Sequence, residues 1–267
     1  MWSNIYDPRN TVNDLTWSER KFSTKTVISK AYPINMQHKL RSQHWWQKPP
    51  ELCADLIKIF SKKWDLVLDP FMWVWWTLLW CSLTWRQWIW IDITEKWIDI
   101  YKEVSKLESL EEQETILWDS LTKLDKIKDD SIDFVLTDVP YWNIDTLKQT
   151  RNTKRVKESK LSNFENESEW QTKEERLNQM YDILSKAATK LKNQKYMAVF
   201  IWDMYRDKEY HFLSWELALK LSKNPNIKMK SNIIWADNSK SLHIFWYPRA
   251  YVPSMIHQNI LVFRKEI

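Results

Sequence analysis

Along most of the chain, short apolar runs ending in an acid alternate with stretches whose apolar residues recur at helical spacing. Residues 65–69, DLVLD, place three apolar side chains before a carboxylate, the pattern of a strand buried on both faces. Ahead of it, Leu52, Leu56, Ile57 and Phe60 form one stripe of a helix that Pro49 and Pro50 punctuate and Glu51 favours in its first turn. Beyond it, the pattern predicts a crossover helix over 77–83, a second strand over 87–93 and a helix over 95–107. A third strand follows in TILWDS (115–120), and a fourth over 131–143 with Phe134, Val135 and Leu136 buried. A helix over 176–192, a strand over 196–201, a helix through 216–221 and strands in NIIWAD and HQNILVFRK complete the series. Strands alternating with helices predict an α/β domain: a Rossmann-like, seven-stranded, mostly parallel sheet with helices on both faces.

One stretch resists that pattern. Where the first strand must turn tightly into a helix, residues 70–77 read Pro-Phe-Met-Trp-Val-Trp-Trp-Thr. A turn that cradles a nucleotide-like ligand needs positive φ and a close backbone approach, which indole side chains prevent. Composition explains the anomaly: the 267 residues include no glycine and 20 tryptophans, whereas average glycine usage is roughly 7%, on the order of 19 residues. With Trp80, Trp85, Trp88 and Trp90 read as glycine, the following segment becomes TLLGCSLTGRQGIGIDI, and Trp64 turns SKKWD into a familiar turn. Most tryptophans therefore stand where the working protein carries glycine, as follows if a codon such as UGA, read as glycine in some bacteria, is rendered as tryptophan. Trp97 and Trp235 sit in amphipathic and strand contexts where an aromatic fits. The mass of native protein tests the substitution: a value near 32.7 kDa would refute it.

Charge and termini add less. A net charge of +5 and a pI near 8.9 tilt mildly toward polyanionic partners. Cys53 and Cys81 are too few for a disulfide framework or a zinc site, and no metal is expected. With no apolar run long enough for a membrane span and no apolar signal core in MWSNIYDPRN, the chain is expected to be cytoplasmic, without a membrane partner. Residues 1–43 read as a polar arm and 44–267 as one domain. Two segments within it suit nucleic acid. The first is 143–176, where Lys148, Arg151, Lys154, Arg155 and Lys157 cluster; the second is 237–256, with Tyr247, Arg249 and Tyr251. The alternatives are a solvated loop and a plain hairpin crossing.

The chemistry lies at strand ends. Asp69, Asp92 and Asp119 each close a predicted strand, and Asp92 falls about twenty residues past the turn, where doubly wound folds place an acid for ribose hydroxyls. Asp119 and Ser120 suit a base edge. Asp138, Val139, Pro140 and Tyr141 emerge at the same sheet edge; a carboxylate beside a rigid proline and an aromatic ring suits a flat ring that bears an amine.

With glycine restored, DPFMWVWWT resembles the DPFxGxGGT cofactor motif, and TDVPY the (D/N/S)PPY catalytic motif, of S-adenosylmethionine-dependent DNA amino-methyltransferases acting on adenine N6 or cytosine N4. KPPEL resembles their cofactor-flanking helix, and WDS their third cofactor motif. The likeness covers roughly residues 44–142 strongly and 177–265 moderately. It implies S-adenosyl-L-methionine as cofactor, held by Lys48, Pro49, Asp69, Pro70, Phe71, Trp73, Trp75, Thr77, Asp92, Asp119 and Ser120. It implies Asp138, Val139, Pro140 and Tyr141 as catalytic residues, double-stranded DNA as partner, and the restriction-modification setting in which an endonuclease accompanies the enzyme. Val139 departs from the motif's first proline, so the loop is expected to lose rigidity. Three alternatives stay open: methylation of RNA guanine N2, methylation of protein glutamine, and an inactive nucleic-acid-binding relative. Adenine versus cytosine is not legible.

Overall fold

The computed structural model describes residues 5–32, 48–71, 84–92, 95–112, 114–117, 120–140, 172–240, 242 and 248–267. Its strands are β1 (Val27–Ile28), β2 (Leu66–Asp69), β3 (Gln87–Asp92), β4 (Glu114–Leu117), β5 (Ile132–Asp138), β6 (Leu191–Ile201), β7 (Met204–Arg206), β8 (Glu209–His211), β9 (Ile227–Ala236) and β10 (His257–Lys265). Its helices are α1 (Trp17–Phe22), α2 (Pro50–Phe60), α3 (Glu95–Leu107), α4 (Ser120–Leu124), α5 (Lys173–Lys190) and α6 (Leu213–Leu221). The predicted crossover helix over 77–83 lies outside the described residues.

Alternation within the strands decides which helix packs where. In β2, Val67 joins a core with Leu52, Leu56 and Ile57 of α2 and Ile98, Tyr101 and Val104 of α3. Its neighbour Leu68 points the other way, into a second core with Leu177, Met180 and Leu184 of α5 and Leu213, Leu217 and Leu221 of α6. In β5, Phe134 and Leu136 face the first core and Val135 the second. Successive side chains of a strand point to opposite faces, so a continuous apolar run needs helices on both. Each fully buried Leu, Ile or Phe contributes about 1.5–3 kcal/mol.

The sheet has eight strands in the order β1-β9-β10-β6-β5-β2-β3-β4, one more than the sequence predicts. The extra strand, β1, comes from the N-terminal arm and pairs parallel with β9 at Val27↔Ile234 and Ile28↔Trp235, covering an otherwise open sheet edge. The arm is also tied down elsewhere: the Asn13 side chain donates to Ile59 O at 2.6 Å, and Lys63 N donates to Asp14 at 2.6 Å. β10 runs antiparallel to both its neighbours, and β2–β5, β2–β3, β3–β4 and β5–β6 are parallel. The carboxyl ends of β2, β3, β4, β5, β6 and β9 therefore share one edge.

Two tryptophans bear on the glycine substitution directly. Trp64, in the turn before β2, and Trp85, just after the helical residue Thr84, have φ of 69° and 60°, the left-handed region that side chains with a Cβ disfavour. A third, Trp88, lies in the first core at 2% exposure, and its indole N–H has no hydrogen-bond partner among the described residues. A buried unsatisfied donor costs about 1–3 kcal/mol. Trp235 is buried on β9 and packs in the same core, the strand context in which an aromatic is at home.

Candidate active site

Parallel pairing of β2 with β5, in the register Val67↔Phe134 and Leu68↔Val135, brings the ends of the two strands together. Asp69 closes β2 at 1% exposure; its Oδ1 accepts from the Thr137 hydroxyl at 2.5 Å and from Phe71 N at 3.1 Å. Asp138, next in chain to Thr137, closes β5 at 4% exposure. The two carboxylates predicted for cofactor and substrate thus stand on neighbouring strands, one tied to the residue beside the other. Pro70 and Phe71 are buried behind Asp69. Ser120, the first residue of α4, donates its hydroxyl to Pro70 O at 2.5 Å, drawing the segment after β4 against the same turn. The backbone of Asp92 pairs with Leu117 at the ends of β3 and β4.

Asp138 has company that the sequence did not suggest. Its Oδ2 lies 2.8 Å from Lys48 Nζ, with both side chains almost wholly buried, at 3% and 4% exposure. Its Oδ1 accepts from Gln258 Nε2 of β10 at 3.4 Å. The Lys48 ammonium also lies 5.7 Å from the centre of the Phe200 ring. So Lys48, expected at the cofactor from its KPPEL motif, sits on the carboxylate that the TDVPY resemblance assigns to catalysis, and Pro49 beside it is the N-cap of α2. Breaking a buried ion pair from one side costs about 3–5 kcal/mol, because the charge left behind has no solvent to turn to. The signal in the sequence was faint: Gln258 and Asn259 precede the apolar run Ile260, Leu261, Val262 and Phe263 of β10.

The residue expected to loosen the loop is itself held by the sheet. Val139 is fully buried, and its N–H donates to Phe200 O at 3.2 Å, extending the β5–β6 pairing past Asp138. Proline has no N–H to make this bond. Rigidity that the family motif takes from a ring comes here from a hydrogen bond, and Pro140 is buried directly after it.

Other charges converge nearby. Burial pushes the Cys53 thiol pKa well up; Lys48 opposes this, and Asp138 and Asp69 add to it. Lys240, just beyond β9, has its pKa lowered to about 8, chiefly by burial and further by Lys48, against the pull of Asp237. The 237–256 segment that follows is closed at its base by Asp237 N donating to Ile256 O at 2.7 Å and opens on the same carboxyl edge. Its Arg249 and Tyr251 are exposed. Trp73, Trp75, Thr77, Asp119, Tyr141, Lys148, Arg151, Lys154 and Arg155 lie outside the described residues. One element at this edge is unforeseen: the hairpin β7–β8, which follows β6.

Residues 5–103 match the model of the N6/N4 DNA methylase family. The structure resembles TrmN from Thermus thermophilus, with 14% identity, a TM-score of 0.50, and coverage of 82% of this chain and 49% of that one. It also resembles PH0851, with 13% identity, a TM-score of 0.50, and coverage of 81% and 45%. The fold is that of the class I methyltransferases. KPPEL and DPFMWVWWT, which carry the resemblance to the S-adenosylmethionine-dependent DNA amino-methyltransferases, lie within the matched segment; TDVPY lies beyond it. The match spans about half the length of TrmN and of PH0851, 49% and 45%. No curated protein matches it. Among the described residues, no helix is long and apolar enough to cross a membrane.

Proposed function

We propose that this chain is a DNA methyltransferase that moves a methyl group from S-adenosyl-L-methionine to the exocyclic amine of a flipped-out adenine (N6) or cytosine (N4). The observation that carries this reading is the placing of two buried acids, Asp69 and Asp138, at the ends of adjacent parallel strands, with the Thr137 hydroxyl bonded to Asp69. The residues present suit the cofactor. Ser120 on Pro70 O draws the start of α4 against the end of β2, and acids at sequence positions 69, 92 and 119 suit ribose hydroxyls, an amine-bearing base edge and a positive sulfonium. Asp92 would hold the ribose, and Asp119 and Ser120 the adenine edge, over a 69–77 turn with glycine at 73, 75 and 76. When bound, the cofactor supplies an electrophilic methyl.

The chain's own residues do the rest. The target base leaves the duplex at a cost of a few kcal/mol. Asp138 and the carbonyl of residue 139 accept the amine's hydrogens, which orients the nitrogen lone pair toward the methyl, while Tyr141 stacks on the ring. Placement in a pocket that excludes water supplies most of the rate. Basic residues at 148–157 and 249 grip phosphates. The test is transfer of labelled methyl to duplex DNA, structured RNA and protein by the glycine-restored chain, with Asp138→Ala as control. Label on DNA, lost in the variant, is expected; label on RNA or protein alone would overturn the substrate, and no transfer at all would point to a binding protein.

A further inference from the structure

A buried lysine on the proposed catalytic carboxylate has three available roles: a cofactor ligand, a stand-in that leaves when the target amine arrives, or a fixed support. We propose the third: Lys48 is a positioning residue, whose ammonium keeps Asp138 ionised and aimed through Oδ2 while the target amine approaches the carboxylate. The inference rests on the methyltransferase reading above.

Geometry excludes much of the freedom the other roles need. Lys48 is 3% exposed and stacked near Phe200, whose carbonyl also anchors Val139, so one residue supports both the ammonium and the loop. The ammonium sits 2.8 Å from Oδ2, Gln258 reaches Oδ1 at 3.4 Å, and a carboxylate has about four acceptor positions in all. A carboxylate that takes several donors at once can accept the amine while the buried Lys48 stays in place. Departure of Lys48 would take from a buried carboxylate the ammonium 2.8 Å away, a penalty larger than one bond from a neutral amine returns.

The charges around Asp138 make the support necessary. Asp69 from β2 and the Cys53 thiol from α2 face the same region, Gln258 from β10 is uncharged, and Lys240 after β9 is the second cation, one step removed. Without Lys48, burial and the neighbouring acid favour a protonated Asp138, which has lost acceptor capacity where the amine needs it.

The test compares the glycine-restored wild type with Lys48→Met and Lys48→Arg, measuring kcat and both KM values from pH 5.5 to 9. For Lys48→Met, kcat should fall on the order of 100-fold near pH 6 and recover as pH rises, with KM for cofactor and DNA little changed. Lys48→Arg should keep the wild-type acid limb. A raised cofactor KM at unchanged kcat would make Lys48 a cofactor ligand, and a lowered DNA KM at unchanged kcat would make it a stand-in. An equal loss at every pH would make it merely structural; each of these overturns the proposal. Carbon NMR of the Asp138 carboxyl reads the same ionisation without catalysis. If the wild type methylates no DNA, the parent reading fails, and this inference still stands or falls on whether Lys48→Met raises the Asp138 titration midpoint.

Discussion

Lysine–aspartate pairs occur at both edges of the central sheet, and they differ in one respect. At the amino edge, Lys190–Asp129 and Lys265–Asp130 bury the lysine and leave the acid 64% and 61% exposed, whereas Lys192–Asp133 buries the acid and leaves the lysine 45% exposed. In each of these pairs one charge keeps its water; Lys195, which reaches Asp65 (16% and 16% exposed) and Asp133 (16% and 8%), is the driest of this edge among the described residues and still wetter than the pair opposite. At the carboxyl edge, Lys48 and Asp138 both lose their water. A half-solvated pair is an inexpensive staple between strands, whereas a dry pair survives only if the surrounding structure holds it and is the more suspect as functional apparatus.

Four measurements would break or sharpen that contrast. The largest effect belongs to the dry pair: Asp138→Ala should lower methyl transfer on the order of 10³-fold or more, while leaving the melting transition nearly in place once Lys48→Met is combined with it. A double variant that stays active would reduce the carboxyl-edge pair to one more staple. Next is Lys265→Met. The Lys265 ammonium donates to Thr189 O at 2.9 Å and Leu191 O at 2.7 Å as well as to Asp130. Its loss should cost about 2–3 kcal/mol in denaturant titrations with transfer per folded molecule unchanged; an equal loss of kcat would show that the amino edge reaches the site.

Smaller still is the gain at the turns. Trp64→Gly and Trp85→Gly should each raise stability by about 1 kcal/mol, because their φ values of 69° and 60° no longer oppose a Cβ. No gain in thermal melts would remove the conformational argument for glycine at those positions. The smallest effect is Lys192→Ala, expected to cost below about 1 kcal/mol and to shrink further in salt, since that ammonium is half in water. A cost comparable to that of Lys265→Met would mean that exposure is a poor guide to these pairs.

Much of the frame was legible. The stripe of Leu52, Leu56 and Ile57, the apolar runs before Asp69 and Asp138, and the span of α3 follow from local periodicity, which a chain carries wherever it folds. The β7–β8 hairpin was missed for a local reason: its turn places Asp207 and Lys208 at φ of 51° and 68° without the asparagine or glycine that usually marks such a turn. β1 was missed for a distant one, since two residues become a strand only when β9 is there to pair with them.

Local sequence carried the α/β alternation, the acids closing the predicted strands, the resemblance to cofactor and catalytic motifs, and the mismatch between tryptophan and a turn that needs glycine. All of these are matters of residue type and spacing. Tertiary structure alone decided that Lys48, ninety residues before Asp138 by number, is its counter-ion, that Gln258 reaches it from β10, and that the Val139 N–H replaces a proline's stiffness by bonding Phe200 O. The physical reason is burial. Whether a charge is dry, and what stands within 3 Å of it, depends on which strands become neighbours, and no local pattern along the chain encodes that.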